Sequence, residues 1–386
     1  MEFDGLSGSV AVVGVGTTEF GHLPDRSADD LGCTAFQRAL ADAGLGVGEV
    51  DGLLTMRVSS YETVASRTGV EPKWVAQLPA EGRMTGVAIQ TAAMAIAAGA
   101  AHTVALVYGN DGRSAGHTYG GTGAAASSAA QGYGTSPSLT LPYGITSPGA
   151  FYALMFQRYC DRYGITSEQL AAVARTFRAN AARNPGAVFA EPISLADYLE
   201  ARYIVEPLRL YDYCLINDGG VAMILTSAER ARDCAHPAVS ILGFAQQGRL
   251  RDTDFPPEDF WHGALEAVGR RAYRMAGCDR ADVDVLMAYD NFSPNVLFTL
   301  EGLGFCAPGE AGAWIQHGRI GLDGELPVNT SGGHLSESYM QGWAINVEGI
   351  RQLRRDCGPR QVEDAQIVQY VCAAPVVTSI VYGAPR

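Results

Sequence analysis

Residues 274–287 read RMAGCDRADVDVLM, and they repeat the arrangement of residues 41–54, which read ADAGLGVGEVDGLL. Five positions are identical between the two stretches, and each pair is separated by 233 positions, as Ala43 is from Ala276. The separation between the two copies is much longer than the repeat unit of a solenoid protein. It therefore indicates two similar halves related by a pseudo-two-fold axis. The sequence therefore predicts an α/β fold in which each half buries a sheet-and-helix face against the other.

The second copy of the repeat leads directly into a polar segment. The apolar run 285–288 predicts a buried strand, and it ends in YDNFSP at residues 289–294. The serine before proline predicts a helix N-cap at Ser293, so the chain turns directly from strand into helix. Further along, residues 329–339 read NTSGGHLSESY, a loop and a helix whose glycines let the backbone approach a ligand closely. Each of the two segments carries a tyrosine where a catalytic group is expected.

These two motifs resemble the C-terminal catalytic loops of thiolase-fold proteins, in particular the sterol-carrier and lipid-transfer-protein branch. Within that branch the chain is most similar to the steroid side-chain aldolases, which carry Tyr-Asp-x-Phe and Asn-x-x-Gly-Gly-x-x-x-Glu-x-Tyr loops. The resemblance implies an αβαβα layered core built from two halves, residues 1–235 and 236–386. It also implies a loop insertion at residues 111–202. The Gly-, Ala- and Ser-rich part of that insertion, 111–148, favours a lid, an interface segment or a disordered tip.

The sequence offers no evident nucleophile for acyl transfer through an enzyme thioester. In thiolases the nucleophilic cysteine begins the helix that corresponds here to residues 87–98, where the helix dipole lowers its pKa. Gly86 occupies that place, with no cysteine near it in the sequence. The second thiolase cysteine aligns nearest to Tyr370. Cys372 is therefore either a displaced nucleophile or a small buried apolar residue.

The resemblance implies retro-aldol cleavage of a bulky, steroidal 3-hydroxyacyl-CoA, with Tyr289 and Tyr339 as the catalytic residues. A phenol whose pKa is lowered from about 10 can take a proton from an alcohol and return one to a carbanion. One tyrosine would take the hydroxyl proton and the other would protonate the thioester enolate. The products would be a ketone and a short acyl-CoA such as propionyl-CoA. For a lone tyrosine, the alternative is a strand-end aromatic residue whose hydroxyl reaches solvent.

Five further residues are expected to bind the substrate. They are Asp290, Asn291, Gly332, Gly333 and His334. The asparagine, the histidine and the backbone N–H groups of the glycines would donate hydrogen bonds to the enolate oxygen. The aspartate either orients its neighbours or begins the turn, and Glu337 either caps the following helix or is a partner of Tyr339. No cofactor is expected beyond the CoA that belongs to the substrate.

Length and composition argue against several other classes of protein. No apolar run approaches the ~20 residues of a membrane span, and the N-terminal residues lack a signal-peptide pattern, so we expect a cytoplasmic protein. A net charge of −13 argues against nucleic acid as a partner, because phosphate binding needs a concentrated basic surface. The eight cysteines are scattered without a CxxC pair, which indicates neither a disulfide framework nor a metal site.

The resemblance also implies partner proteins. Thiolase-like chains pair through a sheet edge of the N-terminal half, so we expect a homodimer, with the apolar run Thr103 to Tyr108 as a long edge strand. The similar aldolases work with a small OB-fold, acyl-CoA-associated protein, and a partner of that kind is expected here. Two other functions stay open: a thiolase or acyltransferase that uses Cys372, and a non-catalytic acyl-CoA-binding scaffold.

Overall fold

The computed structural model describes residues 4–117, 145, 147–248 and 256–384, and these ranges contain eleven strands and eleven α-helices, besides short 3-10 turns. The strands are β1 (Val10–Thr17), β2 (Gly52–Met56), β3 (Trp74–Leu78), β4 (Thr103–Asn110), β5 (Tyr203–Val205), β6 (Leu208–Arg209), β7 (Gly219–Ser227), β8 (Val239–Gly248), β9 (Val285–Ala288), β10 (Ile367–Cys372) and β11 (Val376–Gly383). The helices are α1 (Ala28–Ala43), α2 (Tyr61–Thr68), α3 (Thr85–Ala97), α4 (Pro148–Tyr163), α5 (Ser167–Ala181), α6 (Leu195–Glu200), α7 (His262–Ala276), α8 (Ser293–Gly302), α9 (Ala311–Trp314), α10 (Gly333–Ser336) and α11 (Trp343–Arg354).

Nine strands form one mixed sheet whose order shows the internal symmetry. The order is β3-β2-β4-β7-β1-β8-β11-β10-β9. Outward from the contact between β1 and β8, the arms β1-β7-β4-β2 and β8-β11-β10-β9 each contain two antiparallel pairs followed by one parallel pair. The matching strands β2 and β9 begin at Gly52 and Val285, with the spacing of the sequence repeat. The duplication predicted from the sequence is therefore present in the strand topology.

The helices complete the predicted αβαβα layers. α3 and α11 pack between the two arms in one buried cluster that includes Ile89 and Ile345 from the helices and Met223 and Ile380 from the strands. α1 covers the outer face of the N-terminal arm through residues such as Phe36. α7 and α8 cover the outer face of the C-terminal arm. The fold is the layered α/β core that the resemblance implied.

Local sequence signals place most of these elements where they were predicted. The strand predicted at 285–288 has those bounds in the structure. α1 begins after Ser27, whose side chain accepts a hydrogen bond from the Asp30 N–H, and it ends at Gly44 in the left-handed conformation. One helix begins a residue early: Phe292 is the N-cap of α8, and Ser293 is already helical.

The predicted edge strand is wrong. β4, which contains Thr103 to Tyr108, lies between β2 and β7 in the interior of the sheet, and all eight of its residues are buried. A continuous apolar run is typical of a strand covered on both faces, which an edge strand seldom is. β3 is the edge strand of this arm, and its residues are only half-buried or exposed.

The structure leaves open the predicted long loop, the domain boundary and the insertion. Most of the predicted loop at 111–148 lies outside the described ranges. The boundary at 235/236 and the insertion at 111–202 stay predictions. Within the described part of the chain, no helix has both the length and the apolar character needed to cross a membrane.

Candidate active site

Tyr289 stands at the carboxyl end of β9, in the second copy of the repeat. Its backbone N–H donates to the Val371 carbonyl at 2.8 Å, which continues the pairing of β9 with β10. The side chain is 3% exposed, and its hydroxyl lies against the backbone of Gly82, where a Cβ atom would come within 1.6 Å of the oxygen. The same hydroxyl lies 3.0 Å from the hydroxyl of Tyr339. Three residues that are distant in sequence therefore meet at one point.

Tyr339 is half-buried and is held through its backbone. Its N–H donates to Oδ1 of Asn217 at 2.7 Å. Asn217 is fully buried, and its carbonyl accepts a hydrogen bond from the side chain of Asn110, so the N-terminal half fixes this tyrosine. Either tyrosine can donate to the other, because a phenol hydroxyl is both a donor and an acceptor. A proton can therefore pass along the pair.

His334 lies between the two tyrosines and is fully buried. Its ring makes edge contacts with Tyr289 and Tyr339, at centroid distances of 4.7 and 5.2 Å. Nε2 accepts the Gly342 N–H at 3.0 Å, and Nδ1 lies 3.2 Å from Oδ1 of Asp290. Burial lowers the pKa of His334 to about 3, so the ring is neutral, and the acceptor role of Nε2 places its proton on Nδ1.

Asp290 binds the loop that carries His334. Its buried carboxylate accepts the N–H groups of His334 and Leu335 at 3.0 and 3.3 Å. Gly333 has φ +60°, and a Cβ atom there would lie 2.3 Å from Oδ2 of Asp290, so a glycine is needed for the loop to close over the carboxylate. Burial raises the pKa of Asp290 to about 7, although these hydrogen bonds act in the opposite direction.

Asn291 and Gly332 complete the set of predicted substrate-binding residues. Oδ1 of Asn291 accepts a hydrogen bond from Asn295 at 3.1 Å, and the Gly332 N–H donates to the Asn329 carbonyl at 2.9 Å. The structure thus places His334 against both tyrosines, with Asp290 and Gly333 behind it, whereas these hydrogen bonds of Asn291 and Gly332 are to neighbouring segments. The Gly332 N–H and both ring nitrogens of His334 already have protein groups as neighbours. The binding of substrate by these five residues stays a prediction.

Glu337 anchors the loop at residues 329–339 through buried hydrogen bonds. It is buried, and its carboxylate accepts hydrogen bonds from Nδ2 of Asn184 at 3.0 Å and from Oγ of Ser331 at 2.7 Å. Burial raises the pKa of Glu337 to about 7, and the nearby Glu348 carboxylate acts in the same direction. Glu337 therefore links the loop to the segment that follows α5.

Gly86, the position predicted to correspond to a thiolase nucleophile, has no room for a side chain. A Cβ atom on Gly86 would lie 2.3 Å from Oγ1 of Thr378, so the threonine fills the space that a nucleophilic side chain would need. Cys372 is fully buried, and burial raises the pKa of its thiol well above the usual range, against the opposing effects of Arg83 and Tyr370. A thiol in this state is not a nucleophile at neutral pH, because the thiolate is the reactive form.

The sequence interpretation missed several residues that hold the site together. Asn295 donates to the carbonyls of Tyr289 and Ala373, at 2.8 and 3.0 Å, and so ties the strand end to α8. A signal for it existed, since an asparagine in the first turn of an apolar helix needs buried partners. Gly82 gave no such signal, because its role is the space that it leaves for Tyr289.

Comparison with known protein families agrees with this geometry. The chain matches the model for "Thiolase, N-terminal domain" over residues 10–229 and the model for "Thiolase C-terminal domain-like" over residues 255–375. The chain therefore belongs to the thiolase family.

Its relatives place it more narrowly. A steroid side-chain-cleaving aldolase of Thermomonospora curvata is 38% identical over 99% of each chain. A 17-hydroxy-3-oxo-4-pregnene-20-carboxyl-CoA lyase of Mycobacterium tuberculosis is 38% identical over 90% of this chain and 92% of its own. A solved structure of an Ltp2-ChsH2(DUF35) aldolase matches with a TM-score of 0.90 at 37% identity, over 99% of each chain. The resemblance to the aldolase branch is confirmed.

Proposed function

We propose that this protein is a carbon–carbon lyase, an aldolase that cleaves a 3-hydroxyacyl-CoA thioester. The observation that carries the proposal is the pair of tyrosine hydroxyls, Tyr289 and Tyr339, that lie 3.0 Å apart. A thiolase or acyltransferase reaction is disfavoured because Gly86 has no side chain to attack with and the thiol of Cys372 is buried. Relatives at 38% identity that are an aldolase and a lyase support the same reaction.

In the proposed reaction, one tyrosine oxygen takes the proton of the 3-hydroxyl group. The oxygen then forms the ketone carbonyl, the Cα–Cβ bond breaks, and its electron pair passes to the thioester enolate. The other tyrosine protonates Cα to give the acyl-CoA. Because the hydroxyls of Tyr289 and Tyr339 are within hydrogen-bond distance, the proton taken by one can pass to the other. The proton of the 3-hydroxyl group thus ends on Cα, in place of the broken Cα–Cβ bond. The tyrosine pair then returns to its starting protonation state.

We propose a steroid side-chain thioester as the substrate. The Mycobacterium tuberculosis relative is named for a 17-hydroxy-pregnene-20-carboxyl-CoA, in which the hydroxyl stands on the carbon β to the thioester carbonyl. A retro-aldol reaction needs the hydroxyl at that position. For this chain, cleavage of such a compound would give a ring ketone and a short acyl-CoA such as propionyl-CoA.

The direct test is mass spectrometry of the products after incubation with a panel of steroidal and aliphatic 3-hydroxyacyl-CoA esters. We expect a ketone and a short acyl-CoA in equal amounts from the steroidal esters. The matched control is the protein with both Tyr289→Phe and Tyr339→Phe. Release of free CoA, or transfer of the acyl group to CoA, would contradict the aldolase and favour an acyltransferase. Binding without any cleavage would favour a scaffold.

We also propose a small OB-fold, acyl-CoA-associated partner. Support comes from the solved relative, whose name joins two components, Ltp2 and ChsH2(DUF35). If the isolated chain turned over at the full rate of the co-expressed complex, this partner would not be required. A homodimer and a cytoplasmic location complete the proposal. The location is supported by eight cysteines that are all unpaired, as suits a reducing compartment.

A further inference from the structure

The enolate needs donors to hold its charge, and several groups of the loop at residues 329–339 are engaged within the protein. Cleavage places negative charge on the thioester oxygen, and enzymes stabilise such charge with preorganised donors. Nε2 of His334 accepts the Gly342 N–H, and the Gly332 N–H donates to a carbonyl of its own loop. The backbone N–H of His334 donates to Asp290. Nδ1 of His334 has no hydrogen-bond partner among the described residues, and a positively charged donor near the tyrosines would add to it.

Arg83 belongs to a turn that forms one wall of the tyrosine pair. Gly82, the preceding residue, lies against the hydroxyl of Tyr289. The turn is also fastened to the segment that follows Tyr339. Nε2 of Gln341 donates to the Ala80 carbonyl at 3.0 Å, and Oγ1 of Thr85 donates to the Gln341 carbonyl at 2.5 Å. The position of Arg83 is thus fixed relative to both tyrosines.

The guanidinium of Arg83 has one engaged edge and one unused N–H group. Nε lies 2.5 Å from Oε2 of Glu81, which orients the fork. Nη1 is buried and has no hydrogen-bond acceptor among the residues that the structure describes. A buried N–H of a charged group is costly to leave without an acceptor, so Nη1 is suited to an acceptor beyond the described residues, such as a bound substrate.

The charge of Arg83 also reaches into the site. Arg83 lies close enough to Cys372 to oppose the effect of burial on the pKa of that thiol. Cys372 follows Val371, which pairs with Tyr289 across β9 and β10. A permanent positive charge with a free N–H beside this strand end is suited to an oxyanion.

We infer that Arg83 is a further catalytic residue, whose Nη1–H donates to the thioester oxygen and stabilises the enolate. This inference rests on the proposed aldolase reaction and adds the oxyanion-binding group to it. Glu81 is a positioning residue that directs the guanidinium. Binding of a CoA phosphate by Arg83 is the competing role, and it predicts different kinetics.

The test follows exchange of the α-proton of propionyl-CoA in D₂O, with the full chain and its co-purifying partner. Exchange requires the enolate but neither the ketone nor the carbon–carbon bond, so it isolates the step that Arg83 serves. Arg83→Met should lower both the exchange rate and the kcat of cleavage by about 10²-fold, the scale for loss of one oxyanion donor. KM should change by less than about three-fold, because the contact strengthens in the transition state. Arg83→Lys keeps the charge without the fork and should be intermediate.

Arg67→Met is the matched control. Arg67 pairs with Asp30 on the outer helices and is 41% exposed, so its loss should leave both rates unchanged. Circular dichroism of both Arg83 variants establishes that they fold. Exchange within a few-fold of wild type in Arg83→Met overturns the inference, as does a raised KM at unchanged kcat, which identifies a phosphate ligand. A wild-type protein that neither exchanges nor cleaves overturns the proposed function itself, and the role of Arg83 with it.

Discussion

Tyrosine is a weak acid and a weak base at neutral pH. In the proposed mechanism, the arrangement of Tyr289 and Tyr339 therefore has to provide their reactivity. They are 3.0 Å apart, and a neutral His334 packs against both rings. Because burial lowers the pKa of His334 to about 3, its neutral ring is a weak base and leaves proton transfer to the phenols. The Gly342 N–H, which Nε2 accepts, places the ring proton on Nδ1, 3.2 Å from Oδ1 of Asp290. The site therefore combines two reactive hydroxyls with a rigid, uncharged support.

Removal of either hydroxyl should stop the reaction without unfolding the protein. Tyr289→Phe and Tyr339→Phe should each lower kcat by roughly 10²-fold or more, the usual effect of losing a positioned acid or base. The double variant should be little worse than the more damaged single one, because the groups act in one mechanism. Thermal denaturation should show a loss of about 1 kcal/mol at most, the value of one hydrogen bond. Single variants with near-normal kcat would contradict the mechanism.

Cys372 provides the complementary experiment. Cys372→Ala should keep kcat within a few-fold of wild type, because a fully buried thiol with a raised pKa carries no thiolate at neutral pH. Alkylation of accessible cysteines should likewise leave cleavage intact. Inactive Cys372→Ala together with active tyrosine variants would instead support the thiolase alternative.

Single residues differ in how far the sequence reveals them. The two tyrosines and His334 stand in motifs whose flanking strand and glycine loop are visible in the sequence. Asn217 gives no local signal of its role, because its bond to the Tyr339 N–H joins parts of the chain that local patterns do not connect. Arg83 looks like a surface residue in sequence, and only the fold shows that Nη1 is buried.

At the scale of elements, the turn before α3 positions the hydroxyl of Tyr289, because Gly82 leaves space for it. Gly82→Ala would place a Cβ atom 1.6 Å from the hydroxyl of Tyr289, so one of the two must move. We expect kcat to fall by at least about 10-fold, since small displacements of positioned groups are costly. Gly48→Ala is the control, because a Cβ atom at that position has no neighbour within 4 Å. Full activity in Gly82→Ala, measured by the same product assay, would show that the hydroxyl position is not critical.

The catalytic loop should make the protein less stable as pH rises. The pKa of Glu337 is raised to about 7 from a usual 4.5, so between these values the folded protein retains a proton that the unfolded chain has released. The free energy of unfolding therefore falls as pH rises through that window and is highest at its acidic end. Asp290, raised to about 7, contributes in the same direction.

Glu337→Gln isolates this contribution. The amide keeps an oxygen for Asn184 and a polar group for Ser331 but cannot ionise. Between pH 5 and 8, the loss of unfolding free energy, measured with urea, should be smaller than in wild type by roughly 1 to 3 kcal/mol. Glu266→Gln, in an exposed pair with Arg270, should keep the wild-type slope. An unchanged slope in Glu337→Gln would mean that the carboxylate ionises freely in the fold.

Most elements were predictable because their signals are local, whereas the position of a strand within the sheet is not. Residues 103–108 are apolar throughout, and this pattern predicts a buried strand without identifying its neighbours. The repeat does not supply that position, because it covers residues 41–54 and 274–287 and includes neither β4 nor the matching strand β10. Symmetry is thus a long-range signal that identifies the two halves and leaves the order of their strands open.

At the scale of the whole molecule, the two halves are alike in topology and unequal in function. The C-terminal half supplies both tyrosines, while the N-terminal half supplies Gly82 and the asparagine that holds Tyr339. The reacting groups therefore meet at the interface between the halves. A site of this kind requires both halves to be folded and docked. One buried hydrophobic cluster contains residues of both arms and holds them together.

The two ends of the long sheet also differ, and this bears on assembly. At the β9 end, the backbone of Leu286 is paired with Pro327 and Asn329, and the Asn329 side chain bonds both backbone groups of Ala288. At the other end, β3 pairs with β2 on one side, and no described strand covers its outer side. An uncovered edge strand is a template for pairing with another chain. β3 therefore replaces β4 as the expected dimer contact.

We expect the protein to be a homodimer in which β3 of one copy pairs with β3 of the other. Val75, the second of the five residues of this strand, is 39% exposed, so Val75→Lys would place a charge within the contact. Light scattering at micromolar concentration should give twice the mass of one chain for wild type and a single chain for Val75→Lys. Val47→Lys is the control, because Val47 is 37% exposed but lies in the turn before β2. A wild-type monomer, or a dimer that Val75→Lys leaves intact, would remove β3 as the site of association.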